Sequence, residues 1–575
     1  MDQENSLVGK PLKRFFRLLS LEKKEIGHIY TYAIFNGLIY LSLPLGIQAI
    51  ISQVLANQLS SSWVLLIIVV TLGTAVVGGL QIMQMSITEM IQQRIFTRAS
   101  FEFAYRIPRI KMEALAKYYP PELVNRFFDT MNVQKGLPKI LIDLSTAGIQ
   151  IIFGLILLSF YHPFFIIFGL ILVLLLFLIF RYTGPRGLVT SLEESNHKYE
   201  VVYWLEEMAR ALSSFKLAGE TDLALKKTNS LVSNYLTARK NHFKVLITQF
   251  SNIVAFKTIV TAGLLILGSI LLIERRMNVG QFVASEIIIL MVISSVEKLI
   301  QSMETIYDVL TGMEKIGKVT DLPLERHKGM EFENINTGQG IDIQFKNVDF
   351  KFPYDYDLSL KNVSFDILPG EKVCISGPSG SGKSMLLNVV SGLYEHYNGI
   401  IAFNDVPLMN LDPISLRSYI GDCLSQKTLF KGTVLENLEM GSPDVSFEDV
   451  QWALSKLELH DFVNSLPMGL ETNIVPETPT LPQSVVRKLI LARCVAKRPQ
   501  LLVMDDFFSM WEKDERERIC EFLTCAEMRT VVSVSNDPTF AAKCNKIIVL
   551  EKGSIKDVGT YDEISQKPYF DNLFK

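Results

Sequence analysis

The octapeptide GPSGSGKS, Gly377 to Ser384, has the residue types and spacing of a loop that holds phosphate. It fits the pattern G-x-x-x-x-G-K-[ST], with a strand-like EKVCIS before it and a helix-like SMLLNVVSGL after it. Gly377, Gly380 and Gly382, with Pro378, Ser379 and Ser381 between them, let backbone N–H groups curl round a phosphate. The helix that follows adds the partial positive charge of its N-terminus. Lys383 would neutralise the outer phosphate oxygens and Ser384 would offer its hydroxyl to Mg²⁺, so the chemistry implied is ATP binding with Mg²⁺. The alternative is a glycine-rich turn without a ligand, and the strand–loop–helix setting argues against it. Further on, the apolar run LLVM ends in Asp505. An aspartate after a strand is usually a turn or a helix cap. Downstream of a phosphate loop in the same domain it reads as a second magnesium ligand.

These residues need a parallel sheet to carry them, and the sequence supplies one after Ile341. IDIQFKNVDFKF, LKNVSFDI, EKVCIS, QLLVMDD, RTVVSVS and KIIVLEKGSI read as strands between helical stretches. The result is an α/β domain of single-domain size over 341–575. The rest of the chain is different in kind. The 575 residues are 49% hydrophobic, with a mean hydropathy of +0.25, which is too apolar for an ordinary soluble protein. Six long apolar segments carry the excess: His28–Val54, Trp63–Gln84, Ile140–Phe160, Pro163–Phe180, Leu246–Ile273 and Gly280–Ile300. Each is close to the ~20 residues that cross a bilayer core. The fold class read from this pattern is an α-helical six-span transmembrane domain followed by an α/β P-loop ATPase domain. The segments expected are an amphipathic N-terminal stretch over 1–27, the membrane domain over 28–313 and a linker over 314–340.

Lysine and arginine orient the spans. The N-terminal tail and the long loops after spans two and four are basic, whereas NQLSSS after span one and Tyr161-His162 after span three carry no charge. Both termini and the ATPase domain are therefore expected on the cytoplasmic side of the inner membrane. Helical spacing in the long loops implies that the helices run on well below the bilayer. PLKRFFRLL before span one reads as an amphipathic helix on the inner surface. Charges inside spans are costly. Lys257 on span five and Glu297 on span six lie at similar depth, either as a structural pair or as a contact for cargo, and Glu286 lies nearer the outer end.

The net charge of −3 gives no reason to expect a nucleic-acid partner. The six cysteines all lie from Cys374 onward, no pair is spaced CxxC and no histidine follows His460. A zinc site or a disulfide framework is not expected, and free buried thiols are. The first apolar stretch is too long for the core of a cleavable signal peptide.

Taken together, the chain resembles an ABC transporter half-molecule of the type I exporter architecture. The resemblance runs through FPYDYDLSLKNVSFDILPGEKVCISGPSGSGKS, IGDCLSQKTLFKGTVLENL and LARCVAKRPQLLVMDD. In the membrane part it runs through PPELVNRFFDTMNV, SSFKLAGETD and NVGQFVASEIII. It implies a partner: a second half-transporter, identical or not, with each ATP held between one phosphate loop and the other subunit's signature loop. It implies export of a peptide, protein or lipid-like cargo across the lipid bilayer. It also assigns Phe352 to adenine stacking and Gln426 to magnesium and transmission, and it implies that the loops PPELVNRFFDTMNV and SSFKLAGETD dock on the ATPase domain.

The departures from the family pattern cluster where hydrolysis takes place. The signature, usually Leu-Ser-Gly-Gly-Gln, reads Leu481, Pro482, Gln483, Ser484, Val485. The position of the water-activating glutamate holds Asp506, one methylene shorter. The switch histidine is Asn536, which cannot carry a proton near neutral pH. The D-loop reads SMWE, Ser509 to Glu512. Phosphoryl transfer rests on positioning and charge stabilisation, so these changes are expected to lower rate more than nucleotide affinity. The expectation is an ATP-binding exporter half with weak hydrolysis; the alternative is an ATP-binding switch or regulatory half that does not hydrolyse ATP.

Overall fold

The structure, a computed structural model, describes the backbone of residues 2–55, 61–423, 428–475, 481–508, 511–525 and 529–574. It divides into two compact units. One comprises Met1–Pro108 and Tyr118–Leu322, the other Arg109–Lys117 and Pro323–Lys575.

The first unit is all helix. Its elements are α1 (Asp2–Leu21), α2 (Lys23–Tyr40), α3 (Ser42–Leu55) and α4 (Ser61–Arg106). After α5 (Met112–Leu115), which belongs to the second unit, come α6 (Pro120–Asn125), α7 (Asp129–Tyr161), α8 (Phe164–Arg210), α9 (Leu212–Leu217), α10 (Leu223–Ile273) and α11 (Val279–Thr320). Six helical runs among the described residues are long and apolar enough to cross a membrane. At ~1.5 Å per residue the 51 residues of α10 reach roughly 75 Å, far beyond a ~30 Å bilayer core, so the helices do continue past the spans. Span one, read as a single run, is two helices. The ring of Pro44, third residue of α3, clashes with a helical carbonyl four residues back, at Tyr40, where α2 ends.

Polar and small side chains join the helices, as in an apolar solvent they must. Ser302 donates to Asp143 at 3.1 Å, Ser295 donates to Gln150 at 2.9 Å, and the Gln249 amide donates to the Tyr307 hydroxyl at 2.6 Å. Gly154 lies where α7 meets α11, and a Cβ there would come within 2.7 Å of Val292. On α1, Leu12, Phe15, Leu18 and Leu19 turn inward onto buried clusters, and Arg14 pairs with Glu314 and Asp321 on and just beyond α11. The 1–27 stretch thus contributes its last residues to α2, which starts at Lys23.

The structure joins Lys257 and Glu297, with Nζ 3.6 Å from the carboxylate. A double-mutant cycle with Lys257→Met and Glu297→Met, read by unfolding in mild detergent, is expected to give a coupling of about 0.6 kcal/mol. A coupling of zero would remove the structural role.

The second unit holds the strands. β1 (Ile343–Phe350), β2 (Leu360–Ile367), β4 (Asn398–Phe403) and β5 (Val406–Pro407) form an antiparallel sheet in the order β2-β1-β4-β5. β3 (Lys372–Ser376) belongs to a second sheet with β6 (Ile420–Cys423), β9 (Leu501–Asp505), β10 (Thr530–Val534), β11 (Lys546–Glu551) and β12 (Ser554–Gly559), and β7 (Gly432–Thr433) pairs with β8 (Asn473–Ile474). The second sheet runs β12-β11-β3-β10-β9-β6 and is parallel except at β12. KIIVLEKGSI, read as one strand, is β11, a turn and the start of β12, the two strands of a hairpin. Lys552 and Gly553 both take positive φ, 51° and 84°, the backbone of a tight two-residue turn.

Helix α12 (Lys383–Val390) packs with β1, β2 and β3 in one core. The helices α13 (Pro413–Ser418), α14 (Val434–Glu439), α15 (Phe447–Lys456), α16 (His460–Ser465), α17 (Gln483–Ala496) and α18 (Lys513–Thr524) follow. α14 to α18 contribute to a second core that includes Val434, Leu454, Leu491 and Leu523. The segment Arg109–Lys117 belongs with this unit. Ile110 pairs with Leu324 as an isolated bridge, Met112 rests on the β1–β3 core, and the Lys111 amine meets Glu395 at 2.7 Å. Glu113 accepts from the backbone N–H of Glu395 at 2.7 Å.

Candidate nucleotide site

Register brings the predicted residues to one edge. Val534 of β10 lies beside Ile375 of β3 and Asp505 of β9, so three parallel strands end level. In open α/β sheets the crevice outside the carboxyl ends of the strands takes ligands. The loop Gly377–Ser384 leaves β3 there and enters α12.

Loop shape is set by glycine. Gly377 has φ 150°, and a Cβ on it would come within 2.2 Å of the Leu550 carbonyl. Gly382 has φ 98°, and a Cβ there would come within 2.7 Å of the Ser359 carbonyl. Gly382→Ala therefore meets both backbone strain and a backbone collision. It is expected to lower stability by about 1–3 kcal/mol and to abolish ATP binding. Thermal denaturation with and without ATP is the check, and an ATP-dependent stabilisation equal to wild type would contradict it.

Within the loop, Pro378, Ser379 and Gly380 are exposed and Ser381 is buried, with a hydroxyl that has no hydrogen-bond partner. The Lys383 amine is turned onto the loop's own carbonyls, at 2.7 Å from Gly377 and 2.8 Å from Pro378. Burial pushes the Lys383 amine down from its ordinary pKa, against the opposing pull of Asp505 and Asp506. Among the described residues, an orphaned buried hydroxyl, a cradle with no room for a Cβ and a cation hydrogen-bonded to neutral carbonyls fit a polyanionic phosphate. The Ser384 hydroxyl and the Asp505 carboxylate are hard oxygen donors, the kind Mg²⁺ takes.

Asp506 follows β9, is exposed, and has a left-handed backbone with φ 47°; its N–H donates to the Val534 carbonyl at 3.0 Å. Asn536 comes to the same edge, where its side-chain oxygen accepts from the Ser376 hydroxyl at 2.9 Å, one residue before the loop. Phe352 is half-buried against Tyr394, edge to face at 6.1 Å between centroids, which leaves part of the ring accessible for stacking. Gln426, Ser509 and Met510 lie outside the described residues.

The signature segment sits elsewhere in the unit. Leu481 and Val485 rest on the helical core, and exposed Pro482, Gln483 and Ser484 form the entry to α17. Pro482 stands at the N-cap with φ −58°, so it leaves the helix intact. No contact within this chain brings these residues to Lys383 among those described.

Two features carried no sequence signal. One is the pinning of Arg109–Lys117. There, burial raises the Glu395 carboxyl while Lys111 and Arg326 more than offset it, leaving its pKa below the usual range. The other is a cavity of about 390 Å³ between α10 and α11, where Arg239, Gln249, Gln301 and Glu304 face Phe243 and Phe250. Both arise from residues far apart in sequence, and no local pattern announces them.

The comparisons agree with this architecture. Residues 360–509 match the ABC transporter family model and residues 29–296 match the ABC transporter transmembrane region. The chain belongs to the ABC transporters and has the half-transporter, type I exporter architecture. It is similar to the leukotoxin translocation ATP-binding protein LktB of Mannheimia glucosida, 30% identical over 302 residues, which are 52% of this chain and 42% of that protein. It is 28% identical over 302 residues, with the same coverage, to the alpha-hemolysin translocation ATP-binding protein HlyB of Escherichia coli O157:H7. The match thus spans less than half the length of these curated relatives. A solved structure of a bacterial Atm1-family ABC exporter with ATP bound shares the fold, with TM-score 0.83, 17% identity, and coverage of 96% of this chain and 98% of that one.

Proposed function

We propose that this chain is one half of an ATP-driven exporter that binds ATP well and hydrolyses it slowly. The observation that carries this is the contrast at one sheet edge. The binding residues Gly377 to Ser384 and Asp505 are intact, while the positions that act on the γ-phosphate and its water hold Asp506 and Asn536. ATP supplies the free energy of phosphoryl transfer. Lys383 and the loop N–H groups hold its phosphates, Phe352 takes the adenine face, and Ser384, Asp505 and Gln426 hold Mg²⁺. The entry to α17, Leu481 to Val485 with Pro482, Gln483 and Ser484 exposed, faces the nucleotide of a second half-transporter, identical or different. The basic loops favour a cytoplasmic ATPase unit.

The relatives named for leukotoxin and alpha-hemolysin translocation favour a secreted cargo, which we take to be a polypeptide. The cavity lined by Arg239, Gln249, Gln301 and Glu304 with Phe243 and Phe250 offers both charge and ring faces to such a chain. The test compares the culture medium of cells carrying wild type with that of cells carrying Lys383→Ala. Loss of a secreted polypeptide in the variant supports the reading; an unchanged set of secreted polypeptides and lipids overturns it. A second reading, an ATP-binding switch or regulatory half, is favoured by the joint departure of Asp506, Asn536 and Leu481 to Val485. Under it, Lys383→Ala and Asp506→Ala differ: only the first has a phenotype.

A further inference from the structure

Cys423 ends β6, and Cys494 lies on α17, the helix that begins with the signature residues. Their sulfurs are 2.8 Å apart, with the Cys423 thiol donating to Cys494. The Cys494 thiol also lies 3.0 Å from the Asp422 carbonyl. Gly421 explains the approach. It faces α17 from the same side of β6 as Cys423, two residues on, and a Cβ on it would come within 2.7 Å of the Cys494 carbonyl. Strand and helix backbones thus approach closely, with no room for a Cβ at Gly421, and the two sulfurs face each other across that contact.

Both thiols are buried, yet Cys494 also lines a cavity of about 320 Å³, together with Arg417, Arg493, Lys497 and Asp422. The cavity gives a small reagent a way in to Cys494. We propose that Cys423 and Cys494 are a reversible redox pair that closes to a disulfide when a low-molecular-weight disulfide reaches the cavity, and that the bond fastens α17 to β6.

The Cys494 thiolate attacks one sulfur of the reagent and expels a thiolate. The Cys423 thiolate then attacks Cys494 Sγ in the mixed disulfide and expels the second. Two protein thiols are oxidised, one reagent disulfide is reduced, and the two protons end on the two released thiols. A reducing cytosol keeps the pair open, so the closed form reports a shift of the thiol pool toward oxidation. Its consequence for turnover rests on the proposed function, because α17 carries the residues offered to the partner's nucleotide.

The test uses the full chain in lipid nanodiscs, treated with oxidised glutathione, alkylated in denaturant and mapped by mass spectrometry. A Cys423–Cys494 cross-link, reversed by dithiothreitol, is expected, with slower hydrogen exchange across the first turns of α17. In Cys423→Ala the expected product is glutathione retained on Cys494. Should that variant misfold, Cys423→Ser serves the same purpose. Full alkylation of both thiols after oxidation overturns the proposal. So does a link confined to other cysteines, or a cross-link that leaves exchange in α17 unchanged. None of these readouts requires ATP turnover, so a failure here is distinct from a failure of the exporter reading.

Discussion

Lys383→Ala abolishes ATP-dependent export and weakens ATP binding by about 10- to 100-fold, the loss expected for a hydrogen bond to a charged group worth ~1.5–3 kcal/mol. Among the described residues the Lys383 amine donates to the neutral carbonyls of Gly377 and Pro378, at 2.7 and 2.8 Å. It is half-buried, with its charged form disfavoured by burial. A phosphate replaces those carbonyls with a full negative charge, and the alanine variant loses that exchange entirely. Since Lys383 is the first residue of α12 and its hydrogen bonds among the described residues are to the loop's own carbonyls, the fold is expected to survive. Its melting temperature without nucleotide stays near wild type, and titration with a fluorescent ATP analogue gives the loss of affinity. An affinity equal to wild type would mean that the loop binds something other than a nucleotide.

Asp506→Glu raises steady-state ATP turnover by about tenfold. A catalytic group misplaced by about 1 Å costs up to ~10²-fold, and the added methylene restores that reach in one step. The gain is smaller than the full factor for two local reasons. Residue 506 sits in left-handed backbone at φ 47°, a region aspartate tolerates better than glutamate. Asn536 also remains unable to carry a proton. Adding Asn536→His to Asp506→Glu is expected to raise turnover further, and the two changes are close enough to couple. Unchanged turnover in Asp506→Glu, with ATP binding intact, would show that carboxylate length does not limit the reaction.

The phosphate loop was legible because its chemistry is local. Eight consecutive residues make up the whole loop pattern, and the strand before them and the helix after them are written in adjacent sequence. The spans were legible because twenty apolar residues have no other common use. The features without a local signal depend on partners distant in sequence. β4 and β6 are short strands that pair with β1 and β9 only after the chain has crossed the domain. The split of span one between Tyr40 and Ser42 turns on one proline inside an otherwise uniform apolar run. The grouping of Arg109–Lys117 with the ATPase unit depends on Glu395, nearly three hundred residues away. Cys423 and Cys494, without CxxC spacing, read as separate buried thiols until β6 and α17 bring them together.

The most direct test of an intact binding site with a slow hydrolytic step is ATP binding and steady-state hydrolysis measured on one sample of the full chain in lipid nanodiscs. Saturable, Mg²⁺-dependent ATP binding is expected. Turnover is expected to be well below the ~10 s⁻¹ typical of enzymes, and still above that of Lys383→Ala. Turnover at or above ~10 s⁻¹, or no saturable binding, would contradict the account.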